Sequence, residues 1–128
     1  MDLGSYLAQA ARRKHQLGIW DCCIFPADWV VANGWGDPMA DWRGTYTSEA
    51  AADAHGGLDE LFLAGCERIG LPLVATPLSG DVGLIEVGKQ RAGAIFTGRR
   101  WAFVAPRGLA VASIDAKHIS GIWRVLYG

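Results

Sequence analysis

The sequence contains no apolar run near the roughly 20 residues that a membrane-spanning helix needs, and no membrane span is expected. Its first residues, Met1-Asp2-Leu3-Gly4-Ser5, lack the basic start and apolar core of a secretion signal. Neither charge is in surplus: twelve Lys and Arg face thirteen Asp and Glu, a net charge of -1. That balance gives no electrostatic footprint for nucleic acid and no charged tail of the kind that stays disordered. Cysteine is scarce as well. Three cysteines cannot all pair, and Cys22 and Cys23 are neighbours that cannot bridge without strain, so a disulfide framework is excluded. A reducing site of synthesis is expected. There is no internal repeat, linker or low-complexity segment.

What the chain does have is core-forming material. With 128 residues, 51% of them hydrophobic and six of them tryptophan, it is expected to form one domain over 1–128. Its centre is the run from Trp20 to Val31. Asp21 suits a helix cap, and Ile24, Phe25, Ala27, Trp29, Val30, Val31 and Ala32 leave almost no polar face, the pattern of a buried helix. Cys22 stands at the mouth of that helix, where the positive end of the helix dipole favours a thiolate. The same residue type also packs well as a small hydrophobe. Pro26 constrains the geometry, because it cannot bond the carbonyl of Cys22. Either the first turn is distorted, or the regular helix starts nearer Phe25 with Pro26 in its first turn. Asn33-Gly34 should end it.

Before this helix, residues 2–17 read as an amphipathic helix, with Arg12, Arg13, Lys14 and His15 at its C-terminal end. After it come a turn at 34–38, an irregular segment to Tyr46, a short helix capped by Thr47 or Ser48, and a helix from Leu58 to Ile69. From Pro77 the period changes. Strands are expected at 82–87, 92–97, 100–105, 109–112 and 122–127, separated by glycine-containing turns, as in an antiparallel meander. Helices first and strands second give an α+β fold, with N-terminal helices packed on a small C-terminal antiparallel sheet.

The order of these elements, with Asp21-Cys22-Cys23-Ile24-Phe25 opening the central helix and Gly80-Asp81 before the first strand, resembles the NlpC-type papain-like cysteine peptidases. There the helix motif is Asp-Cys-Ser-Gly-Phe. A closer likeness is to small proteins encoded in phage and prophage tail modules and in gene transfer agents. It is carried by Trp20-Asp21-Cys22, Ala27-Asp28, Gly36-Asp37-Pro38, Arg43-Gly44-Thr45-Tyr46, Gly80-Asp81-Val82 and Trp123-Arg124-Val125, and spans the chain almost end to end. The resemblance implies synthesis in a bacterial cytoplasm, a place in the virion tail, and tail-tip or baseplate hub proteins as partners. For an active member it implies peptidoglycan peptides as substrate.

Carried over residue by residue, the resemblance makes Cys22 the nucleophile and puts Cys23 at the family's serine position. The family's base is a histidine opening the second strand, in a pattern like His-Val-Gly-Ile-Tyr. Here the matching run is Ala92-Gly93-Ala94-Ile95-Phe96, and Ala92 cannot move a proton. Of the three histidines, His15, His55 and His118, the last borders the sheet and is the substitute base to examine. Asp21, Asp37 and Arg43 are candidate cleft residues. Arg43 has Asp21, Asp28 and Asp37 as possible ion-pair partners, and a purely structural pair is the simpler role. The spacing of Cys22, Cys23, Cys66 and a histidine matches no zinc pattern, so neither metal nor cofactor is expected. An exposed group among the tryptophans would mark an interface. The expectation is a tail component with a degenerate peptidase fold; the alternative is an active endopeptidase that uses Cys22 to open the cell wall as DNA enters.

Overall fold

The computed structural model describes residues 1–54 and 56–126; His55 and the expected strand end at Tyr127 lie outside the described residues. Among the described residues the fold is α+β, with four α-helices preceding a five-stranded antiparallel sheet.

Helix α1 spans Leu3–Ala10 and is capped by Asp2, whose side chain accepts from the Ser5 amide at 2.7 Å. It ends well before residue 17. The chain instead closes a tight turn in which Gln16 and Trp20 exchange backbone hydrogen bonds of 2.8 and 2.7 Å. Gly18 makes the turn possible with φ of +82°. Arg13 serves no helix dipole; its guanidinium lies 3.8 Å from the centre of the Trp20 ring.

Helix α2 spans Ile24–Ala32 and starts with Pro26 inside its first turn, which is the second of the two geometries open from sequence. The Phe25 amide bonds the Asp21 carbonyl and the Ala27 amide bonds the Cys23 carbonyl, both at 3.1 Å. The intervening Cys22 carbonyl has no Pro26 N–H to accept from and lies against β2 instead. Ile24, Phe25, Pro26, Ala27, Trp29 and Val30 are buried, as an all-apolar helix requires. Helix α3, Glu49–Asp53, is capped by Ser48, and α4 spans Leu58–Arg68. Gly65 lets α4 touch the 38–39 loop, since a Cβ there would overlap the Pro38 carbonyl.

The strands are β1 Val82–Val87, β2 Gln90–Phe96, β3 Trp101–Ala105, β4 Gly108–Ala112 and β5 Ile119–Trp123, the last preceded by a short 3-10 turn, Ala116–His118. Their order is β4-β3-β2-β1-β5, so the meander of four is joined by a strand returning beside β1. Strand β5 begins three residues earlier than the sequence suggests and stops at Trp123. Arg124 leaves the ladder because its amide bonds Pro72 and its guanidinium bonds Asp81 at 2.9 Å. Alternation gives the sheet two apolar faces. Val82, Leu84, Ile95, Ala102 and Val104 meet α1, α2 and α4 in the main core. Ile85, Ala94, Trp101, Phe103 and Ile122 form a second cluster on the opposite face. None of the six tryptophans is exposed: four are buried and Trp35 and Trp42 are half-buried against the core. Tryptophan therefore supplies core, not an interface patch.

Candidate functional site

Strands β2 and β3 pair only through Ile95–Ala102 and Phe96–Trp101. Towards their other ends they part, and a cleft of about 370 Å³ opens between them, the α3–α4 connection and the turn before α2. Cys22 lines this cleft and is half-buried. Its other walls carry Glu49, Asp53 and Asp59 on the helical side, Gln90, Arg91 and Ala92 on β2, Val104 and Ala105 on β3, and His15 on the N-terminal turn. Among the described residues, these three carboxylates and that of Asp21 face one guanidinium and one imidazole, so the walls lean acidic.

The mouth of α2 is organised by Asp21, which is fully buried. Its Oδ1 accepts from the amides of Cys23 and Ile24, both at 2.9 Å. Its Oδ2 accepts from the Gly18 amide at 2.8 Å and the Tyr46 hydroxyl at 2.5 Å. The helix N–H groups that would otherwise stabilise a thiolate are thus already given to a carboxylate. Cys23 lies behind Cys22 and is fully buried. The hydrogen bond with Cys22, burial and the nearby Asp21 charge push its thiol well above the ordinary range, against a smaller opposing effect of the Gly93 amide. Burial, and then the hydrogen bond to Asp21, likewise push the Tyr46 phenol up.

Strand β2 offers Cys22 no proton acceptor. A Cβ at Gly93 would lie 2.6 Å from the Cys22 carbonyl oxygen and 2.9 Å from Pro26 Cγ, so no side chain fits there. Ala92 packs with the second cluster while lining the cleft with a methyl group. Arg91 bonds Asp59 at 2.6 Å and Glu60 at 2.7 Å. Desolvation works against its charge, but Glu60 and Asp59 outweigh it and hold the guanidinium firmly protonated.

The other candidates disperse. His118 does not line the cleft; its Nδ1 lies 3.1 Å from Glu86 Oε1 in an exposed pair. Asp37 and Arg43 also lie outside it and hold each other: Arg43 bonds Asp37 at 2.7 Å and Asp28 at 2.6 Å, tying the 37–43 loop to α2. Asp21 touches the cleft but is consumed by its four donors. His15 does line it, having been one undistinguished histidine of three in the sequence. The Gln16–Trp20 turn folds it back towards Cys22, and Gly18 was the signal for that turn. Among the described residues, no group of three or more His, Cys, Asp or Glu side chains is arranged to hold a metal ion.

The fold and the cleft together define an α+β domain with a thiol at the mouth of its central helix. The chain belongs to the family described as a domain of unknown function, DUF6950, whose match covers residues 1–125. No curated protein and no solved structure matches it.

Proposed function

We propose that this protein is a tail-tip or tail-assembly component of a phage or phage-like particle, in which a cell-wall-peptidase type of fold serves as scaffold. The tail assignment rests on the ordered motifs that resemble tail-module and gene-transfer-agent proteins. The scaffold assignment rests on one observation above all: β2 presents the methyl group of Ala92 to the cleft where the resemblance calls for an imidazole. The motifs also hold one another in place. Asp21 takes the Tyr46 hydroxyl, Arg43 joins Asp28 to Asp37, and Arg124 joins the C-terminal segment to Asp81. Residues used in this way support a fold more than a reaction. The partners on this reading are neighbouring tail-tip or baseplate hub proteins. The test is quantitative mass spectrometry of purified particles from a producing strain: a fixed copy number in intact tails supports the reading, and absence from them ends it.

One observation favours a second reading, an endopeptidase acting on peptidoglycan peptides. His15 and Cys22 line the same cleft, and an imidazole facing a thiol is the pairing from which cysteine nucleophiles are activated. On that reading His15→Ala and Cys22→Ala would abolish the same cleavage.

A further inference from the structure

Cys22 and Cys23 are both free, and their sulfurs lie 3.8 Å apart. The direction of this contact follows from the next one. Cys23 Sγ is 3.3 Å from the carbonyl oxygen of Leu58, which can only accept, so the Cys23 S–H points there. The Cys22 S–H therefore points at the Cys23 sulfur. The two thiols form a file that runs inward from the cleft: Cys22 half-buried at the wall, Cys23 fully buried behind it, and the first residue of α4 at the end. The third cysteine, Cys66, is buried in the main core and does not line the cleft. A small reagent entering the cleft thus meets one thiol, with a second directly behind.

We propose that Cys22 and Cys23 form a reversible redox pair, closed to a vicinal disulfide by a low-molecular-weight disulfide that enters the cleft. In the first step the Cys22 thiolate attacks one sulfur of the incoming R–S–S–R. A Cys22–S–S–R bond forms, the R–S–S–R bond breaks, and RS⁻ leaves and takes up the proton Cys22 gave to solvent. In the second step the Cys23 sulfur attacks the Cys22 sulfur and displaces the second RS⁻, which takes up the Cys23 proton. Two thiols are oxidised by two electrons, and one disulfide is reduced to two RSH.

The covalent geometry makes this a switch and not a staple. Consecutive Cα atoms sit about 3.8 Å apart, below the roughly 4.4–6.8 Å usual between bridged cysteines. A bond under that strain is readily reduced. Closing it would take the S–H donor from Leu58 and shift Cys23, the residue that caps α2, so the redox state is coupled to the contact between α2 and α4. Burial of Cys23 slows the second step, while its position against Cys22 makes that step intramolecular. The inference is independent of whether Cys22 ever attacks a peptide.

The test uses the whole chain and 5,5′-dithiobis(2-nitrobenzoate) as the disulfide. Thionitrobenzoate release is followed by absorbance, and the peptide containing both cysteines is weighed after digestion without reductant. The expected result is that this peptide loses two hydrogens, carries no adduct, and regains its original mass with dithiothreitol. In Cys23→Ser the same peptide should retain one thionitrobenzoate adduct. A wild-type peptide with a stable adduct on Cys22, with adducts on both cysteines, or left unmodified would overturn the proposal. Because the wild-type masses decide the matter alone, failure of the variant to fold would not shield it.

Discussion

Tyr46 donates its hydroxyl to Oδ2 of Asp21 over 2.5 Å, joining an irregular loop to a helix mouth 25 positions earlier in the chain. Both groups are buried. The carboxylate also gathers three backbone amides, so the loop, the 16–20 turn and the start of α2 are fixed to one another through a single side chain. Hydrogen bonds to a charged group contribute about 1.5–3 kcal/mol each, and a buried donor left without a partner costs about 1–3 kcal/mol. Tyr46→Phe is therefore expected to lower unfolding free energy by about 2 kcal/mol, and Asp21→Ala by more, since it strands several donors at once. Urea titration followed by tryptophan fluorescence would measure both. A loss under half a kilocalorie for Asp21→Ala would mean this site does not hold the loop.

Alkaline pH should destabilise the fold. Burial pushes up the Tyr6 and Tyr46 phenols and the Cys66 thiol, while the Cys22 hydrogen bond and then burial push up that of Cys23. The folded chain thus holds these protons to higher pH than the unfolded chain does. Their contribution is complete below the unfolded values, about 8.5 for thiols and 10 for phenols. It is lost as pH rises from there towards the raised folded values. Each group contributes at most about 1.4 kcal/mol per pH unit to the decline. Unfolding midpoints measured between pH 8 and 11 should fall, and the fall above pH 10 should be shallower in Tyr46→Phe than in wild type. Midpoints flat across that range would remove this part of the account.

Gly93 is small because a carbonyl needs its space. The Cys22 oxygen, freed from helix bonding by Pro26, lies where a Cβ at 93 would stand. Gly93→Ala must push the mouth of α2 away from β2, at a cost of about 1–3 kcal/mol. The displacement should also speed alkylation of Cys22 by iodoacetamide. A variant as stable and as slowly alkylated as wild type would show that the two elements are not in contact.

Arg43 reaches two carboxylates from different segments, which a lysine cannot do with the same planar fork. Arg43→Lys is expected to cost about 1 kcal/mol. Asp28→Asn and Asp37→Asn should be non-additive with it in double-mutant cycles. Additive effects would mean the guanidinium does not couple the loop to α2.

The helical half and the sheet were legible because both depend on local periodicity: the unbroken apolar run of α2, the Ser48 cap and the glycine turns between strands each signal themselves. The first helix ends at Ala10 although its apolar spacing continues to Leu17, because the Gln16–Trp20 turn at Gly18 takes the chain elsewhere. The apolar run predicts a last strand at 122–127, but the strand spans Ile119–Trp123 and ends there because Arg124 is drawn out of the ladder by Asp81, 43 residues away. Long-range pairing of that kind has no local signature. Of the cleft lining, the sequence singles out Cys22, Asp21 and Ala92. Asp21 reads as a helix cap and serves as one, with Tyr46 as its distant fourth donor, while Asp37 and Arg43, polar residues of a glycine-rich loop, pair with each other and Arg43 also with Asp28. His15, Glu49, Asp53, Asp59 and Arg91 come to the cleft from four separate segments, and only the folded topology assembles them.

The central claim is that the Cys22 cleft belongs to a scaffold and performs no hydrolysis. Its most direct test is the digestion of purified peptidoglycan with wild-type protein and with Cys22→Ala, followed by separation of the released muropeptides. The account predicts identical profiles, indistinguishable from a buffer control. New cleaved stem peptides that appear with wild type and vanish with Cys22→Ala would contradict it, and would make His15 the first residue to replace next.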